Sequence, residues 1–282
     1  MPTAPLLRFE IMPFAKGEAQ AAELREPVRL TVTSSPRHGV DHTLDFCERI
    51  SALGHGVTPH VAVRMIRDRA HLETVLERVS AAGIDDLFVV GGDETDPHGP
   101  YTGAGDVLEI LADHPLRPAR IGVGAYPEGH PLIDKAALDE VLARKNELAD
   151  YMATQLCFDT DALLSWLRGV RAKGVTLPLY AGVPGPIDRR KLLEISTKVG
   201  VGQSLKFLRK QNGLLSLFRR PGHEAEGLRD ALAPLVGDPE LKLAGLHLYT
   251  FNEVARTERW RRSALARAEE NSSAAASSQV AT

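Results

Sequence analysis

The chain has 282 residues, 43% hydrophobic and 25% charged, an ordinary globular composition long enough to bury a substantial core. A net charge of -3 supplies no global basic field for nucleic acid, and no apolar run reaches the roughly 20 residues that span a bilayer. The N-terminal MPTAPLLRFE lacks the basic-then-apolar build of a signal peptide, and Cys47 and Cys157 stand far apart in no metal spacing. No structural disulfide and no metal site is therefore expected, and a reducing cytoplasm is the expected location.

Strand and helix signals alternate along the chain. LLRFEIM in the region of 7–13 is a first short apolar run, and RLTVTSS (29–35) alternates β-branched residues. A helix is predicted over 40–54, with Asp41 as cap and Gly54 as stop. TPHVAVRM (58–65) reads as a strand, 68–83 as an amphipathic helix, and DLFVVGG (86–92) as a buried strand. A helix near 103–113 precedes the strand RIGVGAYP (120–127), and a helix over 134–148 precedes YMATQLCF (151–158). A capped helix over 159–174 leads to LPLYAGV (177–183) as the seventh strand. Helical stretches follow from about 188 and over 224–242. AGLHLYTFN (244–252) is the eighth strand, followed by a basic helix from about 253.

Eight strands separated by helices imply parallel β-α-β crossovers. Eight such units close naturally into a (β/α)8 TIM barrel, here a single domain over 1–271 with a disordered tail over 272–282. A doubly wound open sheet is the competing architecture, and the first strand is not followed by its G-x-G-x-x-G loop.

In a barrel, functional residues gather at the C-terminal ends of the strands. That rule selects Glu10, Thr33, His60, Arg64, the Gly91-Gly92-Asp93 turn, Gln155, Tyr249 and Asn252. Glu10 lies between Phe9 and Ile11, where burial would hold a proton on the carboxyl, as a general acid requires. Asp93 after two glycines also suits a turn cap. GAYPEGHPLI (124–133) places Tyr126, Glu128 and His130 on a backbone stiffened by two prolines. His38, His42, His55, His71 and His98 fall in loops or on helix faces without metal spacing and read as solvated.

These stretches resemble the methylenetetrahydrofolate reductase family. FEIMP (9–13), VTSS (32–35), PHVAV (59–63), GGD (91–93), AYPEGHP (125–131), ATQLCFD (153–159), AGV (181–183) and GLHLYTFN (245–252) stand in the family's order. The resemblance implies reduction of 5,10-methylenetetrahydrofolate to 5-methyltetrahydrofolate with NADH or NADPH, supplying methyl groups for methionine synthesis. It makes Glu10 and Asp93 catalytic. Glu10 is the acid that helps open the folate's five-membered ring. Gln155, Asp93 and Tyr249 become substrate contacts, and Thr33, His60, Tyr126, His130 and Lys145 cofactor contacts, with Asp93 near the flavin too.

Several positions depart from the family. Its usual FAD is expected less firmly here, because Gly91 replaces an arginine suited to phosphate. Ser34 replaces an aromatic, Phe14 a proline, and Glu253 an arginine suited to the folate tail, for which Arg256, Arg259 or Lys206 could substitute. Lys145 keeps its place only across a one-residue deletion; otherwise Arg144 takes it. Two alternatives stay open: a folate-dependent methyltransferase or demethylase, and a non-catalytic folate-binding partner subunit. The basic clusters KFLRKQ (206–211) and Arg219-Arg220 could contact phosphate or polyglutamate or be plain surface. The basic C-terminal helix, with acidic residues interspersed, reads as a solvated flank of the barrel. Monomer and small homo-oligomer are both compatible with the sequence.

Overall fold

In the computed structural model, which describes residues 6–35, 37–130, 133–187 and 223–263, eight parallel strands close into one barrel in chain order. They are β1 Leu6–Ile11, β2 Arg29–Val32, β3 Gly56–Ala62, β4 Asp86–Val90, β5 Arg120–Ala125, β6 Tyr151–Thr154, β7 Leu179–Pro184 and β8 Leu243–Tyr249. β1 closes the sheet by pairing on both sides, Phe9 opposite Leu30 of β2 and Leu248 of β8. The (β/α)8 barrel is thus the architecture, and the open sheet is excluded.

Six helices fill the first crossovers: α1 Ala15–Ala22, α2 Gly39–Ala52, α3 Arg69–Ala81, α4 Ala104–Ala112, α5 Lys135–Leu148 and α6 Thr160–Ala172. α7, His223–Leu232, precedes β8, and a last helix occupies 254–263 of the described chain. Three helices start on an aspartate. Asp68, Asp134 and Asp159 accept the backbone N–H of His71, Ala137 and Ala162, satisfying donors that the first turn leaves open.

Some boundaries differ from the sequence expectation. α2 begins at Gly39, so Asp41 lies inside the first turn and spends its carboxylate on His71 (3.2 Å) and Arg67 (3.3 Å) instead of capping. The third strand ends at Ala62, and Arg64 belongs to a 3-10 turn over Val63–Met65. The helix expected over 224–242 stops at Leu232, where Pro234 starts a 3-10 turn, Ala233–Leu235. His55 and His71 are buried, not solvated, because each ring bridges two segments, His55 two stretches of backbone and His71 the Arg67 backbone and the Asp41 carboxylate. His55 Nε2 meets the Ala21 carbonyl at 3.0 Å, and His71 Nδ1 accepts the Arg67 N–H at 3.1 Å. The segments 206–211 and 219–220, Lys206, Pro131 and the tail over 272–282 lie outside the described residues.

Strand alternation divides the interior into two regions. Outward-facing Phe9, Ile11, Leu30, Val32, Val61 and Leu87 join the apolar side chains of the helices in one core. The barrel's own interior is polar. At its floor Arg8 Nη2 lies 2.8 Å from Asp86 Oδ2, and Arg8 Nη1 donates to Tyr151 Oη at 2.9 Å. Tyr151 in turn donates to Asp86 Oδ1 at 2.9 Å. The guanidinium is clamped between the Tyr151 and Tyr180 rings, 4.1 and 4.5 Å from their centroids. Gly122 makes room for this: a Cβ there would come within 2.1 Å of the Tyr151 ring.

Candidate functional site

Two residues further along β1, one layer nearer the C-terminal ends of the strands, the interior side chain is Glu10. Its carboxyl is 16% exposed. Oε2 lies 2.9 Å from His247 Nε2 on β8 and 3.9 Å from His60 Nε2 on β3. Both imidazoles stack on Phe88 of β4, with centroids 4.7 Å (His60) and 6.4 Å (His247) away. Burial lowers the His60 pKa to about 4 against the opposing pull of Glu10, so this ring is neutral at physiological pH. Tyr249 packs edge-on to His247 at 5.1 Å and donates its hydroxyl to the Thr154 carbonyl at 3.0 Å. Burial and then the Glu10 charge hold the Tyr249 phenol well above its ordinary pKa, so it remains a neutral donor.

The backbone around Glu10 is stapled to the end of β8. Its carbonyl accepts the Thr250 hydroxyl at 2.6 Å. Asn252 then clasps Met12 from both sides: its Oδ1 accepts the Met12 N–H at 2.7 Å and its Nδ2 donates to the Met12 carbonyl at 3.1 Å. Phe251 and Asn252 adopt left-handed φ values of 51° and 59° to make this turn. Such a conformation costs free energy in non-glycine residues and is held by the surrounding bonds.

A second cluster lines the mouth at β4, β5 and α5. Asp93 follows β4 and is exposed. Its charge acts on both Tyr126 and His130, whose rings meet edge-to-face at 5.0 Å. Burial, then Asp93, raises the Tyr126 pKa; burial is also the main cause that lowers that of His130. Lys145 on α5 is buried and donates to the Gly124 carbonyl at 3.1 Å. Desolvation lowers its pKa to about 8. Arg144 points away, onto exposed Glu109, so Lys145 is the basic residue of α5 that faces the barrel end.

Gln155 sits between the clusters, just past β6, with its Oε1 accepting the Leu156 N–H at 2.8 Å. Thr33 follows β2, and its N–H donates to the Ile11 carbonyl at 3.0 Å. Glu128 accepts the Cys157 thiol at 3.1 Å. The mouth therefore gathers Glu10, His60 and Tyr249 in one group and Asp93, Tyr126, His130 and Lys145 in another. Sequence reasoning misses His247, which it reads only as a letter within GLHLYTFN, and the Thr250 staple; it selects Asn252 but not the bonds to Met12 that Asn252 makes. The available signal was period two: His247 and Tyr249 share the inward face of β8, as Arg8 and Glu10 share that of β1. Among the described residues no cluster suited to a metal ion occurs, and no helix is long and apolar enough to cross a membrane.

A family model for methylenetetrahydrofolate reductase matches residues 22–204. Methylenetetrahydrofolate reductase 1 of Schizosaccharomyces pombe is 26% identical over 120 residues, and reductase 2 of Saccharomyces cerevisiae 25% over 123. Each aligned stretch is 40% of this chain and only 20% of the yeast protein. A Clostridium thermocellum structure, described as an uncharacterized protein that binds two copies of 5-methyl-5,6,7,8-tetrahydrofolic acid, superposes with a TM-score of 0.62 at 11% identity. It covers 93% of this chain and 96% of its own, and the likeness is one of fold. The family match leaves out Glu10 and β8, whose place in the site rests on geometry, but it spans well over half of the chain. The protein belongs to the methylenetetrahydrofolate reductase family.

Proposed function

We propose that this chain reduces 5,10-methylenetetrahydrofolate to 5-methyltetrahydrofolate, taking hydride from NADH or NADPH. The observation that carries the reading is Glu10: a lone carboxyl inside the barrel mouth, partly exposed, with one oxygen held by an imidazole. Protonated Glu10 gives its proton to N10 of the folate as the bond between N10 and the methylene carbon breaks, and that electron pair stays on N10. The methylene carbon becomes an iminium with N5 and accepts hydride, which makes the methyl group. Glu10 is left as carboxylate and takes a proton from solvent before the next turnover. Gln155 and Tyr249 flank the pterin, and Asp93 balances the cationic iminium. The folate class is also the ligand of the Clostridium structure. A methyl donor of this kind serves methionine synthesis in a reducing cytoplasm.

The family generally uses a flavin, and the residues here do not fit FAD in the usual manner. Gly91 stands in the arginine's place, and nothing lies within 4 Å of where its Cβ would be. Arg64, whose N–H bonds the Gly91 carbonyl, is spent on the carbonyls of Glu94 and Thr102. Arg144 is spent on Glu109. Among the described residues, Arg64 and Arg144 are thus not available as guanidinium donors to the pyrophosphate. In this reading Thr33, His60, Tyr126, His130 and Lys145 line the nicotinamide's place, and hydride passes to the folate directly.

The test is an absorbance spectrum of the purified protein, followed by NADH or NADPH and then methylenetetrahydrofolate in the same cuvette. Folate-dependent nicotinamide oxidation without flavin bands is the expected result. Flavin bands that bleach with nicotinamide and recover with folate would overturn the direct route but keep the reaction. No oxidation of either nicotinamide, with or without added FAD, would overturn the reductase reading in favour of a methyltransferase or a binding subunit.

A further inference from the structure

His247 is the most enclosed member of the site. Its side chain is 2% exposed, and it is packed by Phe88 on one side and Tyr249 on the other. Its two ring nitrogens have unlike surroundings. Nε2 faces Glu10 Oε2 at 2.9 Å, whereas Nδ1 is buried with no hydrogen-bond partner among the described residues. A neutral imidazole carries one N–H and one bare lone pair. Burying an N–H with no acceptor is the costly choice, since an unsatisfied buried donor loses its hydrogen bonds to water and gains none. The proton therefore belongs on Nε2, where a carboxyl oxygen receives it. His60 cannot take this role, because at 3.9 Å it is beyond hydrogen-bond reach of the same oxygen.

We propose that His247 is the positioning residue for the acid: as the Nε2–H tautomer it donates to Glu10 Oε2, fixes the plane of the carboxyl, and leaves Oε1 as the oxygen that presents a proton to the substrate. The catalytic consequence rests on the reductase reading; the hydrogen bond itself does not. Once Oε1 has given up its proton, the negative charge left on the carboxylate is met at Oε2 by a donor already in place. No reorientation is needed at the moment of transfer. Enclosure of the ring by Phe88 and Tyr249 supplies the rigidity that such a second layer requires. The side-chain bond from His247 comes from β8 and the backbone staple from Thr250, the residue that follows it, so one strand and its end hold both the carboxyl and the backbone of the acid.

The experiment uses the full chain with His247→Gln, whose amide can place an N–H near the Nε2 position, and His247→Leu, which cannot donate. In folate-dependent nicotinamide oxidation, His247→Leu is expected to lower kcat by about 10²-fold with KM for folate nearly unchanged, the size of effect that follows from misplacing a catalytic group. His247→Gln is expected to recover most of that loss. A His247→Leu enzyme with wild-type kcat, or a folded His247→Gln enzyme as impaired as His247→Leu, would overturn the proposal. Nitrogen-15 NMR of the histidine rings reads the pairing without turnover. An Nε2–H tautomer for His247, with a signal that moves in Glu10→Leu, supports it; an Nδ1–H tautomer, or no response to Glu10→Leu, overturns it. Failure of the wild-type protein to oxidise either nicotinamide would sink the reductase reading while the NMR result still decided the hydrogen bond.

Discussion

At the barrel floor Arg8 is bonded to Asp86 and Tyr151, clamped by two aromatic rings, and only its Nε lacks a partner among the described residues. One layer up the same strand, Glu10 meets His247 through one oxygen, while His60 Nε2 and His247 Nδ1 are buried without a hydrogen-bond partner among the described residues. Both layers carry ionisable groups inside the same barrel. The floor spends all of them but Arg8 Nε on one another, which leaves little to bind a ligand. The mouth leaves donors and acceptors uncommitted, at a cost in stability, and adds a buried lysine whose charge is disfavoured there. Satisfied polar groups make a plug, and unsatisfied ones at a strand's C-terminal end make a site.

Glu10→Gln should separate the two regions most sharply. Folate reduction should fall by about 10²–10⁴-fold, the usual worth of a general acid, while folate and nicotinamide affinities and the unfolding curve hardly move. Parallel loss of nicotinamide binding would make Glu10 structural. At the floor Arg8→Met should do the reverse. It takes from Asp86 its closer guanidinium, leaving Arg29 Nη1 at 3.3 Å and the Tyr151 hydroxyl, and should cost up to about 3–5 kcal/mol in urea unfolding, with KM for folate preserved in the folded fraction. A cost under about 1 kcal/mol would mean that the floor is not the satisfied network described.

Lys145 gives a contrast of sign. Its pKa is lowered from 10.5 to about 8 in the folded chain. Below pH 8 the lysine is charged whether folded or unfolded, and the penalty for burying that charge is complete. Between about 8 and 10.5 the unfolded chain still holds a proton that the folded chain has released, so stability should rise with pH there. Lys145→Met should be more stable than wild type at pH 7, by up to about 3 kcal/mol, and should lose that slope. A stability difference between wild type and Lys145→Met that is the same at pH 7 and pH 10, read by urea unfolding, would refute the assignment. The smallest effect is expected at Gly91. A Cβ there meets nothing within 4 Å, and Gly91→Arg should tighten FAD binding by about tenfold, roughly 1.4 kcal/mol, read by fluorescence titration. Unchanged affinity would remove Gly91 from the account of the flavin.

Much of the fold could be read in advance, because strand and helix periods alternate clearly and aspartates mark three helix starts. The candidate site is legible wherever a polar residue interrupts an apolar run near a strand end, as Glu10, His60 and Tyr249 do. Arg8 was passed over although it obeys the same pattern, since its partners Asp86 and Tyr151 lie 78 and 143 residues away. The burial of His55 and His71 is not legible locally, because it depends on a partner from a distant segment: the Ala21 carbonyl for His55 and the Asp41 carboxylate for His71.

The sequence by itself determined the alternation of elements, hence eight parallel strands, and it placed Glu10, Asp93, Gln155 and His130 at or near strand ends. Local period and turn chemistry are short-range properties, so a linear reading can recover them. Only the tertiary structure decided that β8 lies against β1, which brings His247 to Glu10 and hooks Asn252 onto Met12. Only it decided that Lys145, not Arg144, faces the barrel end. Those outcomes follow from barrel closure and helix rotation, which depend on how the whole chain packs and are written in no single stretch of it.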